Sequence, residues 1–156
     1  MLQINNRQPG TVHRKCAGGT NNAITIGLLM SMNAKQAQKL FSVIQAYKQK
    51  LPITLFVYGD FAELFPDQVT SWANHDHVTL GTRGDSQYPR GHLDHMGVNW
   101  IREGVVSSQV RLSELQIETK YYYPDNVSAS VIEVAKSRGL TIVQPSAAFP
   151  PTVDGK

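Results

Sequence analysis

The sequence predicts an α/β fold made of parallel β/α units. Short apolar runs rich in β-branched residues recur along the chain, and stretches with helical periodicity separate them. Strand and helix alternate through five units. Each crossover is a helix, which implies a parallel sheet with right-handed connections. Two architectures satisfy this: an open doubly wound sheet, or part of a (β/α) barrel. Both put function at the carboxyl ends of the strands.

Each element has its own signal. Residues 1–21 are rich in Asn, Gln, Gly and Arg without a sustained period, and read as an irregular N-terminal arm. NAITIGLLM (22–30) is a continuous apolar run, as expected of a strand covered on both faces. Asn33 is placed to cap a helix whose Ala37, Leu40, Phe41, Ile44 and Tyr47 share one face. Lys48 and Lys50 sit near its end, where the helix dipole favours cations. Pro52 stops it, and ITLFVYG (53–59) reads as a second strand. A helix over 61–75 turns Leu64, Phe65, Val69, Trp72 and Ala73 inward, with Pro66 either breaking it or starting its first turn.

HVTLG (77–81) is a third strand. Residues 82–97 form a long loop with Gly84, Pro89, Gly91 and Gly97, of a length that is often functional. A helix over about 98–115 buries Ile101, Val105, Leu112 and Leu115. TKYYYP (119–124) is the fourth strand. Ser128 caps a helix that ends at Gly139, and LTIVQP (140–145) is the fifth strand. The domain spans 22–146, and 147–156 form a C-terminal tail.

Composition narrows the function. The chain has 156 residues, 41% hydrophobic and 17% charged, which suits one ordered domain. The net charge is +3, with no run of basic residues, so no nucleic-acid partner is expected. A single cysteine, Cys16, excludes an intramolecular disulfide and a Cys-based zinc site. No apolar run reaches membrane-spanning length, and the N-terminus lacks a signal-peptide core, so a cytoplasmic location is expected of the chain as written. The acidic cluster of a receiver domain and the glycine fingerprint of a nucleotide site are both missing. Arg-Gly-Asp (83–85) is an adhesion tripeptide, but three residues recur by chance and carry no weight.

RGHLDHMG (90–97) places His92, Asp94 and His95 together, all of them metal-ligand types. With Asp85 they form a candidate site within the long loop. The plain alternative is a solvated pair of histidines in a glycine-flanked loop, which gives ligands little rigidity.

The order and spacing of several segments resemble the polysaccharide deacetylase family, which includes chitooligosaccharide and peptidoglycan deacetylases. ITLFVYG (53–59), FPDQVTSW (65–72) and HVTLG (77–81) are similar to the family's "ATFFVVG", "YPELVKRI" and "GHEIGNH". KYYYPDN (120–126) stands where "RPPYG" belongs, and SVIEVAKSRGLTIV resembles "VLEAAKELGYTVV". The likeness covers roughly residues 22–146 and implies an incomplete or distorted (β/α) barrel. It also implies metal-dependent removal of N-acetyl groups from a carbohydrate, with zinc or another divalent metal held by one Asp and two His. A second Asp would act as base and a later His as acid.

The family's functional positions are largely vacated. Aligned on Thr25, Gly27 and Leu28 stand where the two aspartates belong, and no acidic residue occurs from Asn22 to Tyr58. The histidine pair falls on Thr82 and Ser86 without gaps, or on Tyr88 and His92 when aligned from the following helix; His95 is then additional. Tyr123 replaces the motif's Arg, Pro124 is kept and Asp125 replaces its second Pro. No histidine follows His95 to serve as acid. The resemblance therefore implies a deacetylase-like protein of carbohydrate metabolism with lost or strongly reduced hydrolysis and no resident cofactor. Tyr88, Tyr123 and Asp125 are its candidate substrate-binding residues. Two alternatives stand beside it. One is a carbohydrate-binding or structural pseudoenzyme domain. The other is a metal-dependent hydrolase of C–N bonds with His92, His95 and Asp94 as rebuilt ligands. An incomplete sheet with open edges also invites a homo-oligomer.

Overall fold

The computed structural model describes residues 12–13, 26–46, 52–86 and 93–144, with the side chains of 12–13 and 93–96 outside that description. In chain order the elements are β1 (Val12–His13), β2 (Ile26–Leu29), α1 (Ala34–Gln45), β3 (Ile53–Val57), α2 (Gly59–Leu64) and α3 (Pro66–Ala73). Then follow β4 (Val78–Thr82), α4 (Leu93–Glu114), β5 (Tyr121–Tyr122), α5 (Ala129–Ser137) and β6 (Thr141–Val143). Among the described residues, no helix is long and apolar enough to cross a membrane.

All strand pairs are parallel, and the sheet order is β1-β6-β5-β4-β3-β2. From β2 to β6 each strand lies beside its successor. A doubly wound sheet would reverse direction partway, so this order selects barrel-type winding. The strands curl into a half-barrel with helices between them, an incomplete α/β barrel.

Local chemistry explains the element boundaries. The Asn33 side chain accepts from Gln36 N to start α1, and Ser128 accepts from Val131 N to start α5. Gly139 closes α5 with φ 69°, a left-handed conformation that costs glycine nothing. The helix expected over 61–75 is two helices. Pro66 lacks an amide hydrogen and disfavours helical geometry at the residue before it. Phe65 accordingly sits at φ -133° and ψ 56°, and Pro66 opens α3. The helix expected from about 98 follows Gly97 (φ 79°, ψ 163°), a non-helical kink that joins it to a short helical stretch from Leu93, inside the expected loop. Val12–His13, within the stretch expected to be irregular, pairs with β6 as the edge strand.

The apolar residues on the helix side of the sheet form two clusters. Ile53, Leu55 and Val57 point toward the helices, where they meet Phe41, Phe61, Trp72 and Leu112. The Trp72 ring stacks on Phe61 with ring centres 5.8 Å apart. Its Nε1 donates to Gln38 Oε1 at 3.1 Å, so the indole is buried with its polar atom satisfied. Tyr122, Leu140 and Ile142 form a second cluster with Ile101, Val105, Val131 and Val134. Phe56 alternates onto the concave side. A Cβ at Gly81 would stand 2.6 Å from its ring, and one at Gly27 3.3 Å, so the two glycines make room for Phe56.

Candidate functional site at the carboxyl end of the sheet

In wound α/β sheets the carboxyl ends of the strands form the ligand side. β2 ends at Leu29 and is followed by Met30 and Ser31; Gly27 is its second residue, paired with Thr54 of β3. Met30 is buried in the helix-side core, and Leu28 packs against the same core. The Ser31 hydroxyl accepts from Asn33 N at 3.0 Å and donates to Gln36 Oε1 at 3.2 Å. The β2–α1 corner is thus a neutral cap.

The charge at this end comes from the segments that follow β3, β4 and β5. Arg83 directly follows β4. Its amide donates to Val57 O at 2.9 Å, and its guanidinium lies 4.4 Å from the centre of the Tyr58 ring, in cation–π contact. Its Nη2 donates to Asp125 Oδ1 at 3.1 Å. The Arg83 side chain is 8% exposed and that of Asp125 30%. The buried Arg83 Nε has no hydrogen-bond partner among the described residues. Tyr123 is half-buried and its ring lies 5.5 Å from that of Phe56, which joins it to the Gly27–Phe56–Gly81 surface.

The residues just after Arg83 are stitched into the helices. Gly84 takes φ 79°, its amide donates to Thr82 Oγ1, and its carbonyl accepts from Gly59 N. The side chain of Asp85 is fully buried, with Arg111 Nη1 on its Oδ2 at 2.5 Å. Arg111 Nε also reaches Glu63 Oε2 at 2.7 Å. Burial acts to lower the Arg111 pKa, but the hydrogen bond and charge of Asp85, then Glu63 and Asp60, outweigh it and hold it above the usual range. Asp60 accepts from the amide and the hydroxyl of Ser86. A Cβ at Gly59 would overlap Asp85 Oδ1 and the Ser108 backbone, so only glycine lets α2 start this close to α4.

These placements bear on the expected sites unevenly. Gly27 and Tyr123 share the Phe56 surface. Asp125 stands at the same end as Tyr123, with its carboxylate on Arg83. Asp85 turns into the core onto Arg111. The fully buried carboxylate of Asp85, held on Arg111, is out of reach of an adhesion partner of the Arg-Gly-Asp tripeptide. Tyr88 and His92 lie outside the described residues, as do the side chains of Asp94 and His95; so do Cys16, Tyr47, Lys48 and Lys50. Tyr58, Asp60, Arg83 and Arg111 are not among the expected site residues. Their one sequence signal is the clustering of charge around the third and fourth strand–helix junctions, which lacks any fixed spacing.

No family model matches the chain, and no curated protein matches it. Solved structures do. A CE4 family pseudoenzyme from Bacillus anthracis aligns with TM-score 0.70 at 10% identity, over 86% of this chain and 46% of its own. A mutant of that pseudoenzyme with restored enzymatic activity also aligns at 0.70, with 10% identity over 86% and 48% of the two chains. The Bc1960 peptidoglycan N-acetylglucosamine deacetylase gives 0.71 at 19% identity, over 87% and 61%. A family 4 carbohydrate esterase from Streptomyces lividans gives 0.67 at 18%, over 81% and 64%. The chain thus spans roughly half to two-thirds of the length of these structures. At such identities the likeness is one of fold: this chain has a divergent fold of the CE4 polysaccharide deacetylase type.

Proposed function

We propose that this chain is a deacetylase-like protein of carbohydrate metabolism whose metal-dependent N-acetyl hydrolysis is lost or strongly reduced. The observation that carries the reading is the carboxyl end of β2. Met30 is turned into the core and Ser31 is engaged in a neutral helix cap, while Gly27 and Leu28 lie further back on the strand. None of these side chains is a carboxylate or an imidazole, the groups that a general base and zinc ligands require here. The nearby carboxylates are committed elsewhere: Asp60 to Ser86, Asp85 and Glu63 to Arg111, and Asp125 to Arg83. Among the described residues, no group of three His, Cys, Asp or Glu side chains is arranged to hold a metal ion. These residues do not fit a divalent metal. On this fold the Bacillus anthracis pseudoenzyme is a precedent for lost catalysis.

Two measurements test the reading. The purified protein is expected to carry well under one zinc per chain by elemental analysis. Acetate release from chitooligosaccharides is expected to stay at background. One zinc per chain that disappears with His92→Ala, together with chelator-sensitive turnover, would replace this reading with the rebuilt site of His92, Asp94 and His95.

A further inference from the structure

We propose that the cluster of Tyr58, Arg83, Tyr123 and Asp125 at the carboxyl end of the sheet binds a sugar that carries a carboxylate, of the uronic-acid class. Arg83 is its anion contact, and Asp125 is an internal stand-in that leaves when the ligand arrives. The proposal rests on the carbohydrate reading above and names the ligand class of that site.

Three observations converge on it. First, Arg83 is a cation directly after β4, at the carboxyl end of the sheet, which is the ligand side in wound α/β folds. Its planar fork matches a carboxylate better than a neutral hydroxyl. The Tyr58 ring below, 4.4 Å from the guanidinium carbon, holds that fork in one plane. Second, the arginine's hydrogen bonding is incomplete. Nη2 reaches Asp125 at 3.1 Å, while the buried Nε has no hydrogen-bond partner among the described residues. Third, the two ends of the ion pair are unequally fixed. Arg83 is 8% exposed on the end of β4, whereas Asp125 is 30% exposed on the segment after β5. The pair therefore opens by movement of Asp125, and a ligand carboxylate then meets a cation already oriented. Tyr123, on the same segment as Asp125 and packed on Phe56, offers a ring face to the sugar.

Because Asp125 competes with the ligand, the proposal predicts a gain of affinity on mutation. Calorimetric titration with D-glucuronate, D-glucose, N-acetylglucosamine oligomers and acetate separates charge, ring and class. Glucuronate is expected to bind at least tenfold tighter than glucose or acetate. Asp125→Asn is expected to tighten glucuronate about tenfold, and Arg83→Gln to abolish the preference. Unchanged or weaker binding by Asp125→Asn overturns the proposal, even if Arg83→Gln proves unable to fold. Acetate binding as tightly as glucuronate overturns it too, leaving a simple anion site. Binding of neutral sugars with no gain from the carboxylate defeats this inference and spares the carbohydrate reading. No binding of any sugar defeats both.

Discussion

The helix-facing side of the sheet and its carboxyl-terminal corner are held by different forces. Behind β3, Ile53, Leu55 and Val57 meet Phe41, Phe61 and Trp72 in close-packed apolar contact. At the corner, Arg111 ties α4 to α2 and to the segment after β4 through Glu63 and Asp85. The first region depends on area and shape and tolerates the exchange of one apolar side chain for another if volume is kept. The second depends on each charge having its partner, because an isolated buried carboxylate is costly. Stability and site geometry thus rest on separable residues.

Trp72→Ala attacks the apolar side. It deletes the largest fully buried side chain. It should cost about 4 kcal/mol in urea denaturation. A loss under about 1 kcal/mol would mean that the helix layer collapses around the cavity. Arg111→Met attacks the corner and should cost about 3 kcal/mol by stranding Asp85. Adding Asp85→Leu should restore most of that, and if the double variant is as unstable as the single one, charge burial is not the cause.

Tyr122 lies in the second apolar cluster, paired with Thr82 across the sheet. Burial, and then the charge of Asp125, raise the pKa of its phenol above the ordinary value. A raised acid pKa favours the folded state while the phenol is protonated. Its contribution is complete below the usual tyrosine value of about 10 and is lost as pH climbs from there. Tyr122→Phe should flatten the alkaline fall in stability measured by denaturant midpoint against pH. Ser128→Ala is the smallest perturbation, a lost N-cap worth about 1 kcal/mol. A matched effect of Asn33→Ala would mark both caps as equivalent.

The apolar side is far more legible in the sequence than the corner. ITLFVYG is a continuous apolar run and Trp72 lies on a helical stripe, so periodicity alone exposes both. Ser128 and Gly139 mark the limits of α5 by cap chemistry. Pro66 is visible as a break or a start, and the geometry of Phe65 shows that it is both. Arg111, by contrast, lies 26 positions from Asp85 and further still from Glu63, and no local period joins residues so far apart. Arg83 and Asp125, 42 positions apart, meet only because β4 and β5 are neighbours. That Gly27 and Leu28 carry no acidic or basic group can be read without a fold. Where β2 ends cannot, since that depends on its register with β3.

The pairing of β1 with β6 also governs how the chain can fold. Val12 lies opposite Ile142, and His13 opposite Val143. On the ribosome, β2 through β5 can associate in the order in which they emerge, each new unit docking on the last. The strand at Val12–His13 has no such option, for its neighbour is made only after all the others. That segment must wait through the synthesis of every intervening unit before it is ordered, a long-range closure that raises contact order and slows the final step of folding.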